Sequence, residues 1–370
     1  MNILILSWRG PGHPSAGGAE TATFEHAKAW VNAGYSVTLF TSLYKEAKKR
    51  EILGGVNILR SGGQTFGVKI NAFYWFLFVS HPKFDLVLDE FHGIPFFTPL
   101  YTRVKKLGWI HEVAKEVWWF NPWPKPLNLI PAIIGTIFER FVFSILYKRV
   151  PFMTVSESTK HELSNWGIPN TNIAVVHNGV DVVKVHSGKE KKKTAIYLGA
   201  LSKDKGIEEA LRTFVLINEI DKDWQFWIVG KGDESYVSTL KEQAKEMGLV
   251  GKIKFWGFVS QRKKFELLRK AHVFVNPSIR EGWGLVNIEA SSCGTPVIGY
   301  KVPGVSDSVV NGKTGVLVER GDTRAMANAI MAITGNKKKY NMLSRESVNW
   351  AKRFSWTKAG KESLKLVESI

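Results

Sequence analysis

The sequence predicts an α/β protein built from two consecutive doubly wound parallel sheets. Three observations predict it. Short apolar runs of strand type alternate with amphipathic helical segments, this alternation restarts after a lysine-rich stretch near the middle, and the length of 370 residues suits two domains. Because each half repeats the strand–helix–strand pattern, we expect two Rossmann-like domains that face an interdomain cleft.

The first half opens with a strand–helix–strand unit. Residues 2–7 form a short apolar run, a glycine- and proline-rich loop follows at 9–18, and residues 19–33 carry apolar side chains at helical spacing until Gly34 ends the helix before a strand at 35–41. The first loop therefore lies at the carboxyl end of a parallel strand, where ligands bind in such sheets. Further elements are predicted as strands at 86–88, 108–110, 153–155 and 173–176, and as a helix at 157–166.

The second half begins after a polar, basic stretch at 182–193, where we place the linker. This gives domains at 1–182 and 183–352, followed by a helix at 353–370 that we expect to pack back on the first domain. The predicted strands are 194–198, 224–229, 253–255, 273–276 and 296–300, and the predicted helices are 207–218, 236–247, 265–269 and 285–292.

The composition is basic and rich in tryptophan. Lys and Arg number 51 against 33 Asp and Glu, which gives a net charge of +18, and five of the 14 Trp fall in one stretch of the first half, at positions 75, 109, 118, 119 and 123. Such a protein suits a phosphate-bearing partner, an anionic membrane surface or nucleic acid. Nucleic acid is disfavoured because no recognised nucleic-acid motif is present and the basic residues occur in both halves. Cys293 is the only cysteine, which excludes an intrachain disulfide and a cysteine-based zinc cluster.

No membrane-spanning helix or signal peptide is predicted. The apolar run at 2–7 is short and lacks a basic leader, the run at 72–79 is far shorter than the roughly 20 residues a span needs, and Pro131, Glu139 and Arg140 interrupt the stretch at 127–147. A buried or interfacial helix fits that stretch better. We therefore expect a cytoplasmic protein, peripheral on the inner face of the cell membrane.

The strongest chemical signal is the segment 276–290, in which a strand ends, a loop with two glycines follows, and a helix begins near Leu285. Free backbone N–H groups at a helix N-terminus favour an anion, and glycines let a phosphate approach closely. The carboxylates of Glu281, in the loop, and Glu289, in the helix, can each accept hydrogen bonds from two hydroxyls. Phosphate binding next to carboxylates suits a nucleotide-sugar, whereas an isolated pair of solvated acids is the weaker interpretation.

The flanking residues carry a family resemblance. The segment 277–298 closely resembles the donor site of retaining glycosyltransferases of the GT-B fold, the group 1 or family 4 type. The resemblance spans nearly the whole chain and is most specific in the second half. Its further segments are 17–20, 155–156, 178–181, 197–201 with Lys205 and Gly206, 229–232, and 311–315.

The resemblance implies roles for individual residues. Glu281 would contact the donor sugar hydroxyls, Glu289 would bind the ribose hydroxyls, and Lys205 would offset the charge of the leaving diphosphate. Backbone amides at 284–286 would bind the diphosphate, and the glycines at 17 and 18 would lie where the N-terminal loop meets the diphosphate and the acceptor. The donor-binding set is then Gly17, Gly18, Gly199, Lys205, Gly230, Glu281, Gly282, Gly284, Leu285, Val286 and Glu289.

The first domain offers two histidines at the carboxyl ends of predicted strands, His92 and His111. The segment 109–112 resembles the family's strand that ends in a functional histidine, so we favour His111 as the group facing the transferred sugar. Asp89, Glu90 and His92 form no metal site with a recognised spacing. The resemblance implies a transfer that needs no metal and no cofactor.

The sequence departs from the family pattern at Ala200, where the family often has Arg; Lys203 is a candidate replacement for that cation. The segment 303–307 matches the family's later glycine-rich segment loosely. A non-catalytic nucleotide-sugar-binding protein and a GT-B-like sugar-nucleotide epimerase therefore remain alternatives.

Two aromatic runs mark the predicted acceptor domain. We interpret the run at 72–79 as core packing. In the run at 117–123 the adjacent Trp118 and Trp119 cannot both face one core, so this run suits a membrane interface or stacking on acceptor sugars. The hypothesis is a glycan or lipid-linked acceptor at an anionic membrane surface, with the surplus positive charge belonging to that side of the protein.

Overall fold

The computed structural model describes residues 1–91, 93–120, 125–181 and 192–370. The chain divides into two compact units. The first unit contains Met1–Gly179 and Trp356–Ile370, and the second contains Val180–Ser355. The sequence placed the division at 182/183 and the return of the chain at 353.

The first unit is built on an eight-stranded sheet of order β3-β4-β2-β1-β5-β6-β7-β8, parallel except for the antiparallel pair β3–β4. The strands are β1 Asn2–Leu6, β2 Ser36–Thr41, β3 Arg50–Leu53, β4 Val56–Arg60, β5 Leu86–Phe91, β6 Lys105–Ile110, β7 Phe152–Thr154 and β8 Ile173–Val175. The helices between them are α1 Gly18–Asn32, α2 Gly67–Phe78, α3 Thr98–Tyr101, α4 Leu129–Ile145 and α5 Glu157–Asn165.

The two faces of this sheet bury different side chains, because successive strand residues point in opposite directions. Ile3 and Ile5 of β1 pack with Ala27 and Trp30 of α1 on one face. Leu4 and Leu6 pack on the other face, together with Val68 and Ala72 of α2. On this second face the core continues with Ile110 of β6, Phe152 of β7, and Val142 and Phe143 of α4.

The aromatic run at 72–79 is not core packing, and that prediction was wrong. It lies in α2, where Val68 and Ala72 are buried but Phe73, Tyr74, Leu77 and Phe78 are exposed. A helix that is apolar on all sides can bury only the side that meets the sheet, so the composition of the run did not decide its burial.

The second unit is a six-stranded parallel sheet of order β11-β10-β9-β12-β13-β14. Its strands are β9 Lys192–Leu198, β10 Gln225–Val229, β11 Ile253–Gly257, β12 Ala271–Asn276, β13 Val297–Tyr300 and β14 Gly315–Val318. Its helices are α6 Ile207–Ile220, α7 Glu234–Glu246, α8 Gln261–Lys270, α9 Leu285–Ser292, α10 Val305–Ser308, α11 Thr323–Thr334 and α12 Lys337–Ala351.

The last helix, α13 (Trp356–Ser369), packs on α1 within the first unit. Ser363 Oγ lies 2.8 Å from His26 Nδ1 and accepts a hydrogen bond from Trp30 Nε1 at 3.0 Å. Gly360 lies against Ala29, where an added Cβ would collide with the alanine methyl group. The C-terminal segment thus completes the core on the α1 side of the first sheet. None of the helices in the described part of the chain is both long and apolar enough to cross a membrane.

Candidate functional site

The loop predicted to bind the donor follows β12 at the carboxyl edge of the second sheet. β12 ends at Asn276 and α9 begins at Leu285, as the sequence predicted for that helix. Gly284 precedes α9 with φ 69°, and a Cβ there would meet Asn287 Nδ2 and Ser308 Oγ. The position therefore requires glycine. The first amides of α9 have no acceptor within the helix, which makes this end suited to an anion.

A buried polar network that sequence reasoning missed fixes this loop. Asn276 Nδ2 donates to Asn287 Oδ1 at 2.8 Å, and Asn287 Nδ2 donates to Ser308 Oγ at 2.8 Å. The backbone N–H of Ser278 donates to Asn276 Oδ1 at 3.1 Å. Buried amides that satisfy one another hold their geometry tightly, so the start of α9 and the loop before it form one preorganised piece. The sequence does contain a sign of this network, because Asn276 and Asn287 lie on either side of the glycine-containing loop.

Glu281 and Lys205 meet at this edge of the sheet. Lys205 Nζ lies 3.1 Å from Glu281 Oε2, and Ser278 Oγ donates to Glu281 Oε1 at 2.8 Å. Both side chains are partly exposed, so their polar groups remain accessible to a ligand. The structure thus brings together two residues that lie 76 positions apart and that the sequence assigned to one site.

Two glycines allow the backbone segments that carry Lys205 and Glu281 to approach each other. Gly206, at φ 69°, ends the 3₁₀ turn Lys203–Lys205, and a Cβ there would collide with the Pro277 carbonyl. On the other side of the loop, Gly304 has φ 77°, and a Cβ there would collide with the Glu281 carbonyl. The backbone N–H of Glu281 also donates to Pro303 O at 3.2 Å. The loosely matching segment at 303–307 therefore supports the Glu281 loop.

Glu289 occupies a different environment from Glu281. Its side chain is buried, and Lys264 Nζ of α8 donates to its Oε1 at 2.5 Å. Burial raises the pKa of Glu289, and the Lys264 ammonium opposes that rise. Lys264 was missed because nothing in the sequence indicates that α8 lies against α9.

The glycines at 199 and 230 have a packing role. Gly230 has φ 144°, and a Cβ there would collide with the Gly199 carbonyl, because the ends of β9 and β10 approach closely at this point. Gly199 N–H donates to Val229 O at 3.0 Å. Ala200, beside them, is exposed, and its carbonyl accepts from Tyr197 Oη at 2.6 Å. Lys203, the candidate replacement cation, is exposed in the same turn as Lys205.

In the first unit, His111 directly follows β6 and is buried. Its Nε2 lies 3.4 Å from Glu90 Oε1, which also accepts from Thr23 Oγ1 of α1 at 2.9 Å. The Trp109 ring stands 5.2 Å from the imidazole, measured between centroids. Glu90 is thus a carboxylate held beside His111, and nothing in the sequence indicated this pairing.

The hypothetical metal cluster has no geometric support. Asp89 accepts from Tyr147 Oη at 2.5 Å and from Thr98 Oγ1 at 2.8 Å, whereas Glu90 faces α1. Neighbouring strand residues point to opposite faces, so Asp89 and Glu90 cannot share an ion. Burial raises the pKa of Asp89. The described residues contain no group of three metal-ligating side chains, and His92 lies outside them.

Gly17 and Gly18 are exposed at the start of α1. Glu20 Oε2 accepts from the Gly17 N–H at 2.6 Å, and Arg9 Nε lies 2.6 Å from Glu20 Oε1. The helix start therefore already holds a carboxylate of the chain itself, and an arginine stands beside it. Sequence reasoning identified the glycines but not Arg9.

The two adjacent tryptophans of the aromatic run at 117–123 lie in different environments. Trp118 packs over Gly135 and its Nε1 donates to Glu139 Oε2 at 3.1 Å, whereas Trp119 is 48% exposed. Trp123 lies outside the described residues.

Comparison with known proteins covers both units. Residues 16–184 match the model of Glycosyltransferase Family 4, and residues 182–350 match the model of Glycosyl transferases group 1. A phosphatidyl-myo-inositol mannosyltransferase of Mycobacterium leprae is 31% identical over 206 residues, which cover 53% of each chain. The matched segments span between about half and three fifths of the curated relatives' length.

Solved structures show the fold. Sucrose-phosphate synthase of Thermosynechococcus elongatus superposes with a TM-score of 0.82 at 18% identity, covering 100% of this chain and 98% of that one. HepE of Anabaena, solved with UDP and glucose, superposes with a TM-score of 0.77 at 17% identity over 100% of both chains. With two adjoining family models matched from residue 16 to residue 350 and two Rossmann-like sheets, the chain belongs to the group 1 glycosyltransferases and has the GT-B fold.

Proposed function

We propose that the protein is a hexosyltransferase that moves a sugar from a nucleotide-sugar to an acceptor hydroxyl. The arrangement at the start of α9 carries the proposal: Glu281, Lys205 and the first amides of that helix stand at one edge of the second sheet. A carboxylate recognises sugar hydroxyls, whereas a lysine and free amides recognise a diphosphate. A nucleotide-sugar is the ligand that presents both chemical groups together.

In the proposed reaction the bond between the anomeric carbon and the diphosphate oxygen breaks, and the acceptor oxygen forms the new bond to that carbon. The leaving nucleoside diphosphate takes the electron pair of the broken bond. A phosphate oxygen of the leaving group then accepts the proton of the acceptor hydroxyl. Lys205 and the amides of Leu285 and Val286 stabilise the charge that develops on the diphosphate.

The configuration at the anomeric carbon is proposed to be retained. Glu281 binds the sugar hydroxyls in this scheme and does not attack, so departure and attack take place on one face of the sugar. His111 is proposed as the group of the first unit that positions the transferred sugar, and the carboxylate of Glu289 as the acceptor for the ribose hydroxyls. The transfer is proposed to need neither metal nor cofactor.

The donor is proposed to be a UDP- or GDP-sugar. The UDP and glucose bound to the structurally similar HepE support the UDP form. The acceptor is proposed to be a hydroxyl of a glycan or of a lipid-linked sugar, in the synthesis of a cell-surface polysaccharide, glycolipid or glycoprotein glycan. The name of the mycobacterial mannosyltransferase supports a lipid acceptor. The enzyme is proposed to work at the cytoplasmic face of the membrane.

Ala200 favours one second candidate, a non-catalytic nucleotide-sugar-binding protein, because the cation that the family often carries there is absent. Thermal unfolding with UDP, GDP or ADP, alone and as sugar conjugates, tests the donor proposal. We expect one diphosphate to raise the melting temperature, since a ligand that binds only the native state stabilises it. If no diphosphate does so, the donor site is wrongly assigned.

Hydrolysis or transfer of the preferred donor separates the enzyme from the binding protein. Glu281→Ala should lower the rate by about 10²–10³-fold, because it removes a carboxylate from the reacting sugar and breaks the ion pair with Lys205. Glu319→Ala, which removes a mostly exposed acid of the same unit, is the matched control and should retain activity. Diphosphate binding without turnover in the unmodified protein would favour the binding protein.

A further inference from the structure

Three helices of the first unit lie side by side on one face of its sheet. The ring of Tyr101 in α3 contacts Phe73 and Phe76 of α2, at centroid distances of 5.1 and 5.7 Å. Phe97, next to α3, contacts Phe138 of α4 at 6.2 Å. These contacts join α2, α3 and α4 into one layer over the sheet face opposite α1.

The outward side of this layer is apolar. We call it the outer helix face and define it by the exposed large apolar side chains of α2, α3 and α4. They are Ile70, Phe73, Tyr74, Leu77, Phe78, Leu100, Leu129, Ile130, Ile133, Ile134, Ile137, Phe141 and Ile145. A monomeric soluble protein rarely exposes so many large apolar side chains on adjoining helices, so the face indicates a binding surface.

Helix α4 buries a glutamate among its core-facing residues and exposes isoleucines. Ile134 and Ile137 are 60% and 65% exposed, whereas Glu139 is 1% exposed. The Glu139 carboxylate accepts from the backbone N–H groups of Ala114 and Lys115 at 2.8 and 3.1 Å, and from Trp118 Nε1. A carboxylate is costly to bury without such partners. The hydrogen bonds of Glu139 therefore fix the orientation that turns the isoleucines outward.

Cations adjoin the outer helix face. Exposed Lys125 precedes α4, exposed Arg140 lies on it, and exposed Lys148 and Arg149 follow it. Exposed Lys83, Arg103 and Lys105 lie where the chain leaves α2 and α3 to enter β5 and β6. The segment from residue 61 to residue 84 contains no acidic residue. An apolar helix surface with lysines and arginines at its ends is the pattern of a helix that lies in the headgroup region of a membrane.

We propose that the outer helix face docks on an anionic lipid bilayer, with its isoleucines and phenylalanines among the upper acyl chains and its cations on lipid phosphates. The charges favour a bilayer over a second copy of the chain. A symmetric dimer through this face would bring its cations close to those of the partner, whereas anionic lipids neutralise them.

The docking surface is separate from the candidate site residues of the first unit. Glu90, beside His111, contacts α1, which covers the opposite face of the sheet, and Gly17 and Gly18 begin that helix. The proposal agrees with a lipid-linked acceptor but does not depend on donor binding. The two proposals can therefore fail independently.

Flotation with lipid vesicles tests the proposal. The full chain should float with phosphatidylcholine vesicles that contain about one third phosphatidylglycerol, and less so as salt is raised. Ile134→Glu combined with Ile137→Glu should lower the bound fraction about tenfold or more, because it removes two inserted side chains and adds two charges that anionic lipids repel. Both side chains are exposed in the folded protein, so the melting temperature should stay unchanged.

The matched control is Ile220→Glu combined with Val250→Glu in the second unit, at positions 60% and 72% exposed. It changes the net charge by the same amount and should bind vesicles within about twofold of the unmodified protein. The proposal is overturned if the unmodified protein stays in solution at low salt, or if both double variants bind equally. It is also overturned if the first double variant instead converts a dimer into a monomer.

Discussion

The two units are both built on largely parallel sheets, yet their helices expose different residues. In the second unit, α8 buries Phe265, Leu267 and Leu268 and carries only polar or charged residues at its remaining positions, most of them Lys and Arg. In the first unit, α4 buries a glutamate and exposes isoleucines. Among the described residues, the exposed large apolar side chains of the second unit are few: Ile220, Met247, Val250, Phe258 and Met342.

Net positive charge is not concentrated in the unit that exposes the most apolar side chains. The first unit carries 21 basic and 14 acidic residues, and the second carries 30 and 19. The positive surplus is therefore larger in the second unit, and the interpretation that it belongs to the acceptor side was wrong. Net charge alone does not locate a membrane surface. The combination of cations with an exposed apolar helix face, which only the first unit shows within the described residues, is the more specific signal.

Glu139→Ala is the strongest test of this difference between the two units, because α4 buries the Glu139 carboxylate whereas α8 buries only apolar side chains. Removing it leaves the N–H groups of Ala114, Lys115 and Trp118 without this acceptor, so we expect the free energy of unfolding to fall by about 3 kcal/mol. Chemical denaturation measures it. Thr136→Ala, whose hydroxyl donates only within the helix, is the control and should cost under about 0.5 kcal/mol. Equal losses in the two variants would contradict the role given to Glu139.

Glu90→Gln tests whether the first unit contributes to transfer as well as to docking. The substitution keeps the side chain's size but removes the charge beside His111 Nε2, so Glu90 is a positioning residue in this scheme. We expect kcat to fall about tenfold and its pH profile to shift, while diphosphate affinity changes less than about twofold. Steady-state kinetics across pH and thermal shifts with the diphosphate measure both quantities.

Glu25→Gln, on the surface of α1, is the control for this prediction because Glu25 pairs with Lys28 and not with a histidine. A variant at Glu90 with unchanged kcat, or one that loses kcat and diphosphate affinity together, would remove Glu90 from the scheme.

The sequence predicted local backbone features better than it predicted which helix surfaces are exposed. Helix α9 followed from the glycine-containing loop before it, because local backbone geometry demands glycine there. The assignment of Glu281 and Lys205 to one site came from the family resemblance, and their ion pair was not predicted. The orientation of α2 and the partner of Glu289 did not follow. Both depend on which helices pack against each other. Neither the apolar run in α2 nor the position of Lys264 in the sequence indicates the neighbouring element. The hairpin of β3 and β4 was missed because both strands are short and β3, the edge strand, buries none of its side chains fully.

The smallest expected effect concerns the α1 side of the first sheet, where α13 covers a buried histidine. Burial lowers the pKa of His26 to about 3, and His111 contributes to the lowering. Between that value and the unfolded pKa of about 6.5, the unfolded chain binds a proton that the folded unit does not, so stability rises with pH there. His26 alone should add a slope of up to about 1.4 kcal/mol per pH unit to the free energy of unfolding below pH 6.5, and none above it.

Chemical denaturation of the unmodified protein and of His26→Gln between pH 5 and 8 measures this slope. The variant should be less stable at pH 8 but flatter below pH 6.5, and parallel curves for the two proteins would show that α13 does not keep this imidazole neutral.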